Sequence, residues 1–325
     1  MKENKMTRRR FASAAGFGAL AFGASSFSAD ASVPSEAAQR KFYTVLSLGR
    51  IGFKGSFQQS VELAMQYGFE GVDPDPGYFS QLSDDELKRL LDDLKAKNLR
   101  LGVAGLPVDF RKDEQTFSEG LKSLPATAKL LSRVGVSCLS TYILPVSNDL
   151  TYPQNFREHA CRLRACAQVL RDSGQRLGIE YVGPRTSWRS GRHSFIHTLS
   201  ETKELMIAIG KENLGVQLDT YHWYNAEETE EDLLTLRSQD VVTVDLNDAP
   251  AGLPLDKQMD LSRELPAATG VIPVKSFLDA LLKIGYSGPV AAEPFNAALR
   301  AMPVAEACST TASAIKKAFS IAGIA

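Results

Sequence analysis

From Lys41 onward, short apolar runs alternate with longer stretches of helical periodicity, and this alternation constrains the fold more than any other feature of the sequence. Eight runs have the length of a strand: Phe42–Leu48, Gly71–Pro74, Leu101–Leu106, Cys138–Ile143, Gly178–Val182, Gly215–Asp219, Val241–Leu246 and Pro289–Glu293. The stretches between them place apolar residues at helical spacing, as in SDDELKRLLDDLKAKN and VKSFLDALLKIG. Eight strand–helix units in succession predict parallel strands that close into a (β/α)₈ TIM barrel.

A doubly wound open sheet is the alternative fold. Such a sheet normally carries a glycine-rich phosphate-binding turn after an early strand, and the sequence has none.

Several helix ends are also predicted. Ser83 precedes three acidic residues and is typical of an N-cap, PATAKLLSRVGV is predicted to be helical, and Pro303–Ala322 is predicted to be the last covering helix. Glycines expected to end helices are Gly68, Gly135, Gly178 and Gly285.

The first 31 residues are expected to be separate from the barrel, which would occupy residues 32–325 as a single domain. They contain TRRRF at residues 7–11, a weakly apolar run rich in Ala and Gly, and the small residues Ala29-Asp30-Ala31. This order is typical of a signal peptide, and the twin arginines resemble a twin-arginine (Tat) export signal. We therefore expect Tat-dependent export to the periplasm with cleavage after Ala31. A disordered basic tail is the alternative, and the run is too short and glycine-rich for a stable membrane anchor.

Composition excludes some functional classes. The formal net charge is -1 and the charged residues are mixed along the chain, so no nucleic-acid partner is expected. The four cysteines (Cys138, Cys161, Cys166 and Cys308) lack the paired spacing of a zinc knuckle or a CxxC redox site. We interpret them as structural thiols.

Acidic residues end four successive predicted strands, namely Glu180, Asp219, Asp245 and Glu293. Active sites of TIM barrels are built at the C-terminal ends of the strands, so these four carboxylates should meet at one mouth of the barrel. A buried carboxylate is costly unless a cation or hydrogen-bond donors compensate it. The four together therefore predict a divalent metal ion.

Other polar residues near strand ends have simpler interpretations. Asp248 could cap a turn as well as serve a site, and Asp75 lies between two prolines, where turn formation is the favoured role. His222, three residues after Asp219, would by itself more often be a hydrogen-bonded packing histidine. Asp73 and Asn247 also follow predicted strands, and the sequence assigns no function to them.

The ordered motifs GIEYVGP, NLGVQLDTYHWY, VVTVDLNDAPAG, D-x-x-R-x-L-P and GYSGPVAAEPF resemble those of the sugar phosphate isomerase/epimerase family, whose members have xylose-isomerase-like TIM barrels. The resemblance runs from about Lys41 to the end of the chain. It implies a metal held by Glu180, Asp219, the residue on the seventh strand and Glu293. It further implies that His222 and Arg263 bind the substrate.

The sequence departs from the family at two places. On the seventh strand, members usually have His-x-Asn-Asp or His-x-Lys-Asp, whereas this chain has Asp245-Leu-Asn-Asp248. After the arginine, members usually have PG-x-G, whereas this chain has Pro266-Ala-Ala-Thr-Gly270. With Asp245 the ligand set is four carboxylates. All-oxygen coordination favours Mn²⁺ or Mg²⁺, with Zn²⁺ or Co²⁺ as alternatives.

The resemblance implies a sugar isomerase or epimerase that transfers protons next to a carbonyl through an enediolate, with Glu180 and Glu293 as the proton-transferring residues. A metal-dependent lyase or hydrolase on keto-glycosides and a non-catalytic, metal-containing sugar-binding protein are the alternatives. A glycosidase would also use two carboxylates, but it does not need Asp219 and Asp245 beside them. Expected partners are a sugar or keto-sugar, the Tat machinery and a second copy of the chain in a homo-oligomer.

Overall fold

The computed structural model describes residues 39–325, and these form a closed barrel of parallel strands. The strands are β1 (Tyr43–Leu46), β2 (Gly71–Val72), β3 (Arg100–Leu101), β4 (Ala104–Gly105), β5 (Cys138–Tyr142), β6 (Val146–Ser147), β7 (Arg176–Glu180), β8 (His193–Ser194), β9 (Leu214–Asp219), β10 (Val241–Leu246) and β11 (Pro289–Ala292). Nine of them form one sheet in the order β3-β2-β1-β11-β10-β9-β7-β5-β4. The other two, β6 and β8, pair antiparallel in a separate ribbon.

The barrel closes through its third strand, which is broken in two. The first piece, β3, pairs with β2, and the second piece, β4, pairs with β5 on the other side. The two ends of the nine-stranded order are therefore two pieces of one barrel strand, and eight strand positions are filled. The predicted TIM barrel is confirmed, and each of the eight predicted strands overlaps an observed one.

Twelve α-helices and two 3₁₀ turns connect the strands in the described part of the chain. The α-helices are α1 (Phe57–Tyr67), α2 (Pro76–Phe79), α3 (Asp84–Ala96), α4 (Glu114–Arg133), α5 (Tyr152–Asp172), α6 (Arg185–Trp188), α7 (Leu199–Ile209), α8 (Thr220–Asn225), α9 (Glu230–Leu234), α10 (Val274–Lys283), α11 (Ala297–Arg300) and α12 (Val304–Ile321). The 3₁₀ turns are Ser238–Asp240 and Leu255–Lys257. None of the helices in residues 39–325 is long and apolar enough to cross a membrane.

The predicted helix ends are mostly correct. Ser83 forms a capping box with Glu86, in which the Ser83 amide donates to the Glu86 carboxylate over 2.8 Å. Helix α4 begins eleven residues before the predicted PATAKLLSRVGV stretch and contains Pro125 in its interior. The prediction for Gly178 is wrong: it lies inside β7, where a Cβ atom would come within 2.9 Å of Val242, and Gly174, with a φ of +71°, follows α5 instead.

The strand registers place the acidic residues on the inner side of the barrel. Asp219 in β9 pairs directly with Asp245 in β10, and Asp245 pairs with Ala291 in β11. Paired residues of parallel strands point to the same side of a sheet, and alternate residues of one strand do so as well. Glu293, two residues after Ala291, therefore points towards the same interior as both aspartates.

Candidate metal centre

The structure brings the four predicted carboxylates together at the C-terminal mouth of the barrel. Each of Glu180, Asp219, Asp245 and Glu293 offers one oxygen, and these four atoms all lie within 4.8 Å of one another. Asp219 and Asp245 are fully buried, and the side chain of Glu293 is 17% exposed. Such spacing and burial suit a metal ion held by oxygen ligands.

The cluster is electrostatically unfavourable when all four acids are ionised. Burial, and then the charges of Glu293 and the two aspartates, raise the pKa of Glu180 well above its ordinary value. Burial also raises the pKa of Glu293 to about 8, although the Arg263 guanidinium opposes this shift. The pKa of Asp245 rises to about 6, again chiefly through burial and against the effect of Arg50. Without added positive charge, the cluster would hold protons near neutral pH.

Asp219 has the largest number of hydrogen-bond partners among the four. One oxygen, Oδ1, caps α8 by accepting from the backbone amides of Tyr221 at 2.6 Å and His222 at 3.4 Å. The other oxygen, Oδ2, accepts from Arg263 Nη1 at 2.7 Å and from Asn247 Nδ2 at 2.9 Å. The charge at the end of this buried strand is thus compensated by a helix N-terminus and a guanidinium group.

Arg263 links three acidic residues around the mouth. It is 2% exposed, and besides Asp219 its Nη1 contacts Glu293 Oε2 at 3.2 Å while its Nη2 contacts Asp260 Oδ1 at 2.7 Å. The guanidinium also lies over the ring of Phe295, 4.7 Å from its centroid. The resemblance implied that Arg263 acts in the site, and the structure places it in direct contact with two of the four carboxylates.

His222 lies beside the cluster and is buried. Each ring nitrogen faces a donor: the Gly183 amide lies 3.3 Å from Nδ1, and Arg263 Nη2 lies 3.3 Å from Nε2. A neutral imidazole accepts at one nitrogen and donates from the other, so it can accept from only one of these two donors. Nε2 is also 4.0 Å from Glu180 Oε1. Burial lowers the pKa of His222, which favours the neutral form. His222 therefore adds no positive charge to the mouth when it is neutral.

Asp245 has two partners that were not predicted from the sequence. Arg50, which follows β1, donates from Nη1 to Oδ1 of Asp245 in a buried ion pair. Gln217, in β9, donates from Nε2 to Oδ2 of Asp245 at 2.8 Å and to Glu180 Oε1 at 3.0 Å. For Gln217 a sequence signal existed, since it precedes Asp219 by two residues and shares its side of the strand. For Arg50 there was none.

The remaining strand-end residues have structural roles. Asp248 accepts four backbone amides, from Ala249, Thr269, Gly270 and Ile272, at 2.7 to 2.9 Å, and thereby holds the loop that departs from the family pattern. Asp75 caps α2 by accepting from the Tyr78 amide at 2.9 Å. Both turn interpretations are confirmed. Asn247 joins two strand ends, because its Oδ1 accepts from the Glu293 amide at 3.0 Å while its Nδ2 donates to Asp219.

The donor set fits a divalent cation. Two guanidinium groups contact three of the four carboxylates: Arg50 contacts Asp245, and Arg263 contacts Asp219 and Glu293. The four ionised acids and the two arginines together have a formal charge of −2, and Arg263 also pairs with Asp260 outside the cluster. Glu180 and Glu293 each have one carboxylate oxygen that accepts no hydrogen bond from residues 39–325. A buried all-oxygen donor set of this kind is suited to a divalent metal ion.

Comparisons with known proteins find relatives and solved structures that are similar to this chain. The chain is 20% identical over 248 residues to the inosose isomerase of Bacillus velezensis, a match that covers 74% of this chain and 84% of that protein. Among solved structures, a xylose isomerase domain protein from Alicyclobacillus acidocaldarius superposes with a TM-score of 0.75 at 29% identity, covering 88% of this chain and 99% of that one. The IOLI protein with a binding zinc atom superposes with a TM-score of 0.71 at 18% identity, covering 86% and 99%.

The match to a family model is longer than half of the chain. It extends over residues 61–317 and so includes all four carboxylates, His222 and Arg263. The chain belongs to the xylose isomerase-like TIM barrel family.

Proposed function

We propose that the protein is a divalent-metal-dependent sugar isomerase or epimerase. The observation that carries the proposal is the cluster of four buried carboxylates at the C-terminal mouth of the barrel, whose charge two arginines only partly balance. The distant inosose isomerase relatives support a sugar-like substrate and an isomerase reaction. Glu180, Asp219, Asp245 and Glu293 would hold the metal. When bound, the cation would polarise a substrate carbonyl and acidify the adjacent C–H bond.

In this proposal Glu180 and Glu293 move the protons. The two residues come from β7 and from the end of β11, so a substrate in the mouth would lie between them. The pKa of each is raised by burial, to about 8 for Glu293, and a carboxylate with a pKa near the working pH is an effective proton acceptor and donor. One would remove the proton and the other return it, either on the opposite face or at the next carbon.

His222 and Arg263 would bind and orient the substrate. The imidazole of His222 lies with Nε2 4.0 Å from Glu180 Oε1, within reach of a substrate in the mouth. Arg263 is fixed by Asp260 on one side and by Asp219 on the other, so its charge is already positioned when negative charge develops on a substrate oxygen.

The experiment separates proton transfer from metal binding. Glu180→Gln and Glu293→Gln should each reduce the rate on a sugar substrate by about 10²-fold or more, because general acid–base catalysis is lost. Metal content of both variants should stay closer to that of the wild type. The exposed Glu231→Gln is the matched control and should change neither quantity. If both variants turn over sugar at the wild-type rate with metal retained, the proton-transfer roles of Glu180 and Glu293 are wrong. A wild-type protein that binds metal and sugar but turns over no sugar would be a sugar binder rather than an isomerase.

We also propose export through the Tat system to the periplasm. The support is the TRRRF motif and the Ala29-Asp30-Ala31 sequence, both of which lie outside the described residues. Phosphorylated sugars are chiefly cytoplasmic, so an exported enzyme of this kind would act on an unphosphorylated sugar or a keto-glycoside. The homo-oligomer stays a prediction.

A further inference from the structure

Arg50 and Asp245 form an ion pair across the mouth of the barrel. Arg50 follows β1, whereas Asp245 lies in β10, and β11 lies between these two strands in the sheet. The Asp245 side chain is fully buried, and the Arg50 side chain is 17% exposed. The pair therefore reaches over a neighbouring strand into the centre of the carboxylate cluster.

The contacts on Asp245 fix its orientation and leave it able to bind a cation. Oδ1 accepts from Arg50, and Oδ2 accepts from Gln217 at 2.8 Å. A carboxylate has about four lone-pair positions, so each oxygen keeps one. Gln217 also donates to Glu180 at 3.0 Å, so the orientation of Asp245 is coupled to that of a second acid.

The charges explain why this pair matters to the cluster. Asp245 lies next to Asp219 in register and within 4.8 Å of the offered oxygens of Glu180 and Glu293. An uncompensated buried carboxylate in that position would be strongly unfavourable. Together with Arg50 it adds no net charge, while its oxygens remain negative.

We propose that Arg50 is a positioning residue of the metal centre, a built-in counter-ion that orients Asp245 and that moderates the affinity of the four carboxylates for a divalent cation. This inference rests on the proposed metal-dependent function. Arg50 supplies part of the positive charge that the cluster needs before the cation arrives. Removal of Arg50 should therefore make the fold more dependent on the metal.

The test compares thermal stability with metal affinity in two variants. Arg50→Gln keeps a hydrogen-bond donor near Asp245 but removes the charge, and Arg50→Lys keeps the charge but not the planar guanidinium. Melting temperatures are measured in EDTA and in Mn²⁺. Mn²⁺ affinity is measured by calorimetry at pH 8.5 in buffers of different ionisation enthalpy, so that the protons released by the acids on binding are counted. Arg50→Gln should melt much lower than the wild type in EDTA and close to it in Mn²⁺. Its Mn²⁺ affinity should rise by about ten-fold or more, because one opposing charge is gone. Arg50→Lys should resemble the wild type.

A purely structural ion pair would give a different result. In that case Arg50→Gln would lower the melting temperature equally in EDTA and in Mn²⁺, with unchanged Mn²⁺ affinity, and the inference would be wrong. If Arg50→Gln cannot be purified even in Mn²⁺, the Arg50→Gln/Asp245→Asn variant replaces it. This neutral pair should fold in EDTA and bind Mn²⁺ more weakly than the wild type; Mn²⁺ binding equal to that of the wild type would overturn the inference. A wild-type protein that binds none of Mn²⁺, Mg²⁺, Zn²⁺ and Co²⁺ would overturn the proposed function itself.

Discussion

Glu228 gives the protein a pH-dependent stability that can be tested apart from the metal centre. Its carboxyl group accepts hydrogen bonds from the Tyr181 hydroxyl and, at 2.6 Å, from the Leu199 amide. Tyr181 directly follows Glu180, and Glu228 lies between α8, which carries His222, and α9. The contact thus joins the end of β7 to the segment that presents His222.

Burial raises the pKa of Glu228 from 4.5 to about 7, against the effect of these two hydrogen bonds. A carboxyl group whose pKa is higher in the folded than in the unfolded state stabilises the fold below about pH 4.5, and this contribution is lost as the pH rises through 7. The difference between the pKa of Glu228 in the folded and in the unfolded state corresponds to roughly 3 kcal/mol in the free energy of unfolding. For a domain of this size, with an unfolding entropy on the order of 0.6 kcal/mol/K, the Tm should change by about 5 °C.

Glu228→Gln is the matched variant, because its amide can accept from Leu199 and donate to Tyr181 without titrating. The free energy of unfolding of the wild type and of Glu228→Gln is measured with denaturant at pH 4.5, 6, 7 and 8, with EDTA present throughout. At pH 4.5 the two proteins should have similar stability. The variant should become progressively more stable than the wild type as the pH rises, by up to roughly 3 kcal/mol at pH 8. The metal-centre acids titrate in both proteins and cancel in the difference. A difference that does not change with pH would refute the assignment.

Removal of metal with EDTA should lower the melting temperature, and Mn²⁺ should restore it, because a ligand that binds only the folded state stabilises that state. Asp219→Ala should abolish this response, and both proteins can be compared by scanning calorimetry. Asp248→Ala should destabilise the protein by about 1–3 kcal/mol in urea unfolding, because four backbone amides lose a buried acceptor, and unchanged stability would contradict this. Replacement of both Arg8 and Arg9 by Lys should leave the uncleaved precursor in the cytoplasm, as judged by cell fractionation and immunoblotting. If the mature protein reaches the periplasm at an unchanged rate, Tat export is refuted.

The sequence contained enough information to predict the barrel and the position of the carboxylates. The alternation of strand-length runs and helical periodicity is set by local burial, and each run maps onto an observed strand. Glu180, Asp219, Asp245 and Glu293 end successive strands, and parallel strands bring such residues to one edge. Helix boundaries were less certain. The predicted helical stretch PATAKLLSRVGV covers only the later part of α4, which contains Pro125 in its interior and is capped by Asp113, whose carboxylate accepts from the Thr116 amide.

The positive partners of the carboxylates were harder to predict. Arg263 could be named only because its surrounding motif resembles the family, and Arg50 carried no signal at all. Arg50 and Asp245 are 195 positions apart, and only closure of the barrel brings the first and seventh strand positions together. A pairing of this kind depends on the complete sheet order, which local sequence patterns do not contain.

The two arginines also change how the substitution at the seventh strand position should be understood. From the sequence, Asp245 appeared to add a fourth uncompensated negative charge to the metal site. In the structure the charge of Asp245 is balanced by Arg50, and when Arg263 is counted as well the four acids and two arginines have a formal charge of −2 rather than −4. We therefore expect that a histidine at position 245 would not by itself give an equivalent site, because the guanidinium of Arg50 would lose the carboxylate that it contacts and would oppose a metal in the proposed site. An exchange of Asp245 should be tested together with an exchange of Arg50, and we expect the metal preference of the proposed site to depend on both residues.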